Sequence, residues 1–217
     1  MINEDAIERL FKKKLDEAYD IWDGVNGKKG DIDKAIIELQ KLFLQMHDKL
    51  KKIENRRLLL NGLVVAELLT KKPEHLQSAK LHSKLLLDEL NSIPNYKKEN
   101  KHKYSKALNN YIDSYKDELS NEEKIKAYEE YYDAFKTCTP NDTMGYFNKL
   151  TAKFNISLLE RNDNIVLQIM DILLHNNNKQ YQDQFECFEK EIKKTDVALY
   201  KNVLLLKEEE KRNNKVS

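Results

Sequence analysis

The chain has little of what most fold classes need. Its 217 residues hold only 5 glycines and 3 prolines, too few for the many tight turns of an all-β fold. Cysteine occurs twice, as Cys138 and Cys187. The two form no CxxC pair and no disulfide framework, so a reducing compartment, the cytoplasm, is the simpler reading. An excess of one charge is missing too: 38 basic side chains face 37 acidic ones. Nucleic-acid binders normally carry a basic excess, so no nucleic-acid partner is expected. Long apolar runs are absent. The greasiest stretch, Leu58–Leu69, contains Asn61 and Glu67 and falls short of the roughly twenty apolar residues that span a bilayer. The N-terminal stretch MINEDAIERLFKKK is charged and amphipathic and lacks an apolar signal core. No membrane partner is expected.

What is there is helical periodicity, nearly end to end. Ile7, Leu10, Phe11, Leu15, Ala18, Tyr19 and Trp22 line one side of a helix from about Glu4 to Trp22. Gly24, Gly27 and Gly30 break it. Asp31 is an N-cap for the next helix. Its stripe runs through Ala35, Ile36, Leu39, Leu42, Phe43, Met46, Leu50, Ile53, Leu60, Val64 and Leu68, which reads as one long helix to about Thr70. Pro73 suits the first turn of the helix that follows, and Pro94 closes that unit. Lys98–Leu119 reads as a fifth helical segment. Ser120 and Glu123 form a capping box for another. Met144–Leu159, Ile165–Leu174, Tyr181–Ile192 and Val197–Leu206 are further helices. The expectation is an all-α protein of about nine antiparallel helices with short connections, stacked into a concave array. It is read as a single helical domain over residues 1–217. Residues 1–93 form its N-terminal part, 94–206 its C-terminal helices, and 207–217 a polar tail that frays.

Catalytic constellations are not found. His75 and His82 stand seven apart on one helix face, without an acidic residue at ligand spacing beside both. Glu99–His102 is a single ExxH, and a di-metal carboxylate bundle needs two. GxSxG, HExxH and EF-hand patterns are absent. Cys138 follows a helix instead of opening one, so nothing visible lowers its thiol pKa. The lysine clusters Lys12–Lys14 and Lys97–Lys103 read as solvated surface. The chain is therefore expected to be no enzyme, with no cofactor and no metal.

One basic pair stands out. Lys49 and Arg56 are seven residues apart, close to two helical turns, so on a continuous helix they leave the same face. Such a row holds an anion such as a phosphate, whereas the plainer reading is a salt-bridged surface.

Several segments resemble the 14-3-3 family in that family's order. Ala127-Tyr-Glu-Glu-Tyr-Tyr-Asp-Ala-Phe135 resembles its AYQEAF-type helix. Asn155-Ile-Ser157 is similar to its NFS motif, about three residues late, and Tyr200-Lys201-Asn202 to the start of a later helix. Lys49…Arg56 resembles its Lys/Arg pair, and Tyr104-Ser-Lys106 the opening of its middle helix. Asn110–Tyr115 carries Asp113 where the family has a second phosphate-binding Arg. Lys207–Glu210 replaces apolar groove positions.

The resemblance implies a non-enzymatic adaptor that binds phosphoserine or phosphothreonine segments of client proteins in a concave groove. Lys49 and Arg56 would bind the phosphate and Tyr111 or Tyr115 would donate a hydroxyl. Asn155 and Asn213 would hold the peptide backbone. With one Arg missing, the phosphate site would be incomplete and weaker. A homodimer through the N-terminal helices is implied as well. The alternative is a tetratricopeptide-like scaffold that binds unphosphorylated peptides or proteins. Ala127, Tyr131 and Ala134 fit part of that repeat, although its period is not visible.

Overall fold

The computed structural model describes residues 4–25, 29–176 and 178–216, and the side chains of these as far as Arg212. Among the described residues there are eleven α-helices, one 3-10 turn and no strand. The chain falls into two compact units, Met1–Leu119 and Ser120–Ser217.

The first unit holds α1 (Glu4–Asp23), α2 (Ile32–Met46), a 3-10 turn (His47–Lys49), α3 (Ile53–Thr70), α4 (Pro73–Asn91), α5 (Tyr96–Glu99) and α6 (Lys101–Ser114). Cross-helix bonds give their directions. Lys52 Nζ bonds Glu8 Oε2 at 2.5 Å, and the Asp31 amide donates to the Ile21 carbonyl at 2.8 Å, so α1 and α2 run antiparallel. Arg56 pairs with Glu89 and Glu67 with His82, which sets α3 antiparallel to α4. Tyr104 bonds Asn91 and Lys80 stands over Tyr115, which does the same for α4 and α6. Phe11, Leu15, Ile36, Leu39, Leu50, Leu59 and Leu63 form the α1–α3 core.

The second unit holds α7 (Asn121–Phe135), α8 (Thr143–Leu159), α9 (Asp163–Leu174), α10 (Lys179–Thr195) and α11 (Val197–Val216). Its core joins Leu150 and Phe154 of α8 to Val166, Ile169, Met170, Phe185, Phe188, Ile192 and Val203. Phe154 and Phe188 stack with ring centroids 3.6 Å apart. Lys149 of α8 donates to the carbonyls of Lys136 and Cys138 at 2.8 and 3.2 Å, and so caps the end of α7.

The local stop and start signals act as their chemistry demands. Asp31 accepts from the Lys34 amide. Ser120 and Glu123 close a full capping box, and Pro73 occupies the first turn of α4. Gly27 lies outside the described residues. Gly30 is there for room: a Cβ on it would stand 1.9 Å from the Trp22 carbonyl oxygen.

Three expectations are corrected. The long helix from Asp31 to Thr70 is two helices, interrupted at His47–Lys52, where Leu50 turns its buried side chain inward on extended backbone. The 98–119 segment is split at Asn100 and ends at Ser114. α5 and α6 pack with α4 and belong to the first unit, which runs to Leu119. The helix expected to stop near Leu206 continues to Val216.

Replacing Gly30 by Ala forces the Trp22 carbonyl to move. A cost of about 1–3 kcal/mol is expected, read as a lower urea midpoint at unchanged slope. Phe154→Ala, which opens the α8–α10 stack, is expected to cost about 3–5 kcal/mol.

Candidate functional site

The charged groups singled out by the sequence sit at one end of α3. The α2–α3 break removes the continuous helix that was to align Lys49 with Arg56. Lys49 ends the 3-10 turn and is exposed, whereas Arg56 lies in the first turn of α3. Arg56 is already bonded. Its Nε donates to Glu89 Oε2 at 3.0 Å and its Nη1 to the Leu50 carbonyl at 2.6 Å. His47 Nε2 lies 2.8 Å from the other Glu89 oxygen, Oε1. That contact has the distance of an ion pair without the alignment of a hydrogen bond. Glu89 thus ties α4 both to α3 and to the end of α2.

A second polar layer lies deeper. Glu67 is fully buried. It accepts from Gln40 Nε2 at 3.2 Å and bonds His82 Nδ1 at 2.9 Å. Phe43 bridges the two layers, with ring centroids 4.8 Å from His47 and 5.1 Å from His82. Sequence reasoning noted Glu67 only as a charge in an apolar run. Its isolation there was the available signal for a buried partner.

Tyr111 and Tyr115 pack with tilted rings, their centroids 4.6 Å apart. Lys80 stands 5.9 Å from the centre of the Tyr115 ring. Lys80 and Glu89 are separated along α4 by roughly 13 Å of helix, so Tyr115 and Arg56 meet opposite ends of α4. Asp113 is exposed and accepts from Asn109. In the second unit, Asn155 is half-buried and donates to the Thr151 carbonyl of its own helix at 3.0 Å. Asn213 falls within α11, and its side chain lies outside those described.

A third cluster anchors α5 and α6. Glu54 of α3 accepts from Tyr96 at 2.8 Å, from Arg57 at 3.1 Å and from Lys103 at 3.0 Å. Burial opposes the Glu54 charge, but bonds from Lys103, Tyr96 and Arg57 outweigh it and hold the carboxyl below the usual range. Burial and the Glu54 carboxylate together hold the Tyr96 hydroxyl well above the ordinary phenol range.

Of the remaining chemistry-bearing residues, His75 contacts Thr70 Oγ1 at 2.8 Å. Cys138 and Cys187 are both free thiols. Partial burial and the Asp142 carboxylate push the Cys138 thiol up, away from a reactive thiolate. Among the described residues no group of three or more His, Cys, Asp or Glu could hold a metal ion. No helix among them is long and apolar enough to cross a membrane.

Arg56→Ala removes the bonds to Glu89 and to the Leu50 and Lys51 carbonyls and leaves Glu89 facing His47 alone. A loss of about 1.5–3 kcal/mol is expected from denaturant unfolding, and a double-mutant cycle with Glu89→Gln should return only the Arg56–Glu89 share of it as coupling. Glu54 gives a pH prediction. Its carboxyl is depressed in the fold, so its stabilisation is complete above the unfolded value of about 4.3. That stabilisation disappears as pH falls through the lower folded value. The urea midpoint of Glu54→Gln should therefore lie below that of the parent at neutral pH and converge with it under acid. A constant gap would show that the charge is not involved.

No family model, no curated protein and no solved structure matches the chain.

Proposed function

We propose that the protein is a non-enzymatic adaptor, a helical scaffold that binds segments of other proteins. The observation that carries this reading is on α2. Ile36, Leu39, Leu42 and Met46 fill the core, while Ile37 and Leu44 stand 51% and 82% exposed. They are seven residues apart and so share an outward face. An aliphatic pair at that spacing suits a partner helix or an extended apolar segment.

The phosphate-dependent form of this reading needs Arg56 to leave Glu89 and the Leu50 carbonyl before it binds a client. Lys49, exposed, would meet the phosphate first. Phosphorylated clients and a homodimer through the N-terminal helices belong to that form. The committed guanidinium favours the other form, in which the scaffold takes unphosphorylated segments. A cytoplasmic location suits the two free thiols.

The test is enrichment of two degenerate peptide libraries on the immobilised full-length protein. One library is centred on phosphoserine or phosphothreonine and the other is its unphosphorylated twin. Comparable enrichment of both is expected, with a loss of about tenfold in Ile37→Asp/Leu44→Asp, the equivalent of about 1.4 kcal/mol. Enrichment of the phosphorylated library alone, abolished by Arg56→Ala, would establish the phosphate-dependent form. Enrichment of neither would overturn the adaptor reading.

A further inference from the structure

The lysine cluster at the α5–α6 end of the first unit takes no part in the reading above. Lys97, Lys98, Lys101, His102, Lys103 and Lys106 are all exposed, and Glu99 is the single acidic residue between Tyr96 and Asn110. In a chain whose net charge is +1, this is a strong local excess. We propose that this cluster is a docking surface for an acidic protein segment. The proposal names a partner chemistry for the adaptor and rests on that reading.

The surface is held in place from below. Tyr96 is buried and bonded to Glu54, which also takes Lys103. Tyr104 is buried, bonds Asn91 at 3.0 Å, and carries Lys97 over its ring at 5.5 Å. These contacts fix α5 and the first turn of α6 against α3 and α4. The side chains of Lys98, Lys101 and Lys106 have no hydrogen-bond or ion-pair partner among the described residues. α6 adds to their field: no acidic residue stands in its first turn and no side chain caps it. The partial positive charge of a helix start therefore faces the same end.

The chemistry of the patch selects among anionic partners. Base stacking needs exposed aromatic rings, and Tyr96 and Tyr104 are 4% and 7% exposed. Membrane docking through an amphipathic helix needs an apolar face beside the basic one. Between Leu81 and Met144, none of the described large hydrophobics is exposed. The patch holds no arginine, so it lacks the planar fork that reads a phosphate bidentately. Ammonium groups on flexible stems, spread over α5 and the first two turns of α6, suit the scattered carboxylates of an Asp/Glu-rich segment.

The experiment titrates the full-length protein with a fluorescein-labelled oligoglutamate peptide. An oligoglutamine peptide, a single-stranded oligonucleotide and phosphatidylserine/phosphatidylcholine vesicles are run in parallel. Oligoglutamate should bind at low salt and weaken as salt is raised. The triple variant Lys98→Glu/Lys101→Glu/Lys106→Glu should bind it about tenfold or more weakly. A control with the same charge change in the second unit, Lys190→Glu/Lys194→Glu/Lys201→Glu, should bind nearly as the parent does. Equal loss in both triples, tighter binding of the oligonucleotide or vesicles than of oligoglutamate, or no oligoglutamate binding would each overturn the proposal. None of these outcomes depends on Ile37 and Leu44, so the adaptor reading is tested separately by the libraries.

Discussion

The first unit depends on a carboxylate. Glu89 receives Arg56 on one oxygen and faces His47 on the other, so one side chain of α4 reaches two preceding elements. Arg56 then reaches back to the Leu50 carbonyl. An extended turn leaves carbonyls that no helix satisfies, and buried backbone groups need partners. The guanidinium supplies one here, and the helix break is part of the same construction as the ion pair. About two helical turns along α2 and α4, Glu67 with Gln40 and His82 repeats the device around Phe43. A Leu/Ile stripe alone tolerates sliding of one helix along another. Two polar layers do not, because a slip leaves a buried carboxylate without its partner, at a cost of about 3–5 kcal/mol.

This construction explains which parts of the molecule are legible in its sequence. Helix identity is local, and the 3.6-residue stripes, Asp31, Pro73 and the Ser120–Glu123 box announce it. The break at His47–Lys52 is not local. His-Asp-Lys-Leu-Lys-Lys contains no Gly or Pro, and the apolar stripe passes through Leu50 without interruption. What accompanies the break is tertiary: Leu50 is buried in the core and His47 faces Glu89, far along the chain. Tertiary contacts of that kind override propensity without leaving a mark in the nearby residues. The start of α5 is easier to see afterwards, since Asn95 before it takes a left-handed φ of 62°, a conformation that asparagine tolerates better than most residues. The Ser120 capping box opens the second unit. The proline at 94 is the stronger visual signal, but α5 and α6 remain bound to the first unit through Glu54 and Asn91.

The same reasoning accounts for the candidate site. Lys49 and Arg56 draw attention because their spacing is right for a continuous helix, and spacing carries meaning only where the helix is unbroken. Arg56 was legible as important and illegible as to purpose: its partners are a carboxylate on another helix and a carbonyl upstream. Glu67 was visible as an acidic residue in a greasy run. Its acceptance of Gln40 and His82 required knowing that α2, α3 and α4 adjoin.

The placement of the cations narrows what the surface can do. The two guanidinium groups of α3 are turned inward, Arg56 to Glu89 and Arg57 to Glu54. A rigid fork is most useful where its bonds are fixed, and there it organises the fold. The lysines left outside at α5–α6 are hydrated point charges with long stems. Such groups accelerate encounter and choose the sign of a partner more than they set final affinity. Tight binding then has to come from apolar contact elsewhere, and Ile37 and Leu44 are the exposed aliphatic pair at helical spacing that α2 offers. A scaffold arranged in this way attracts by charge at one surface and holds by aliphatic burial at another. Its selectivity would follow from partners that carry acidic and apolar stretches at a compatible separation.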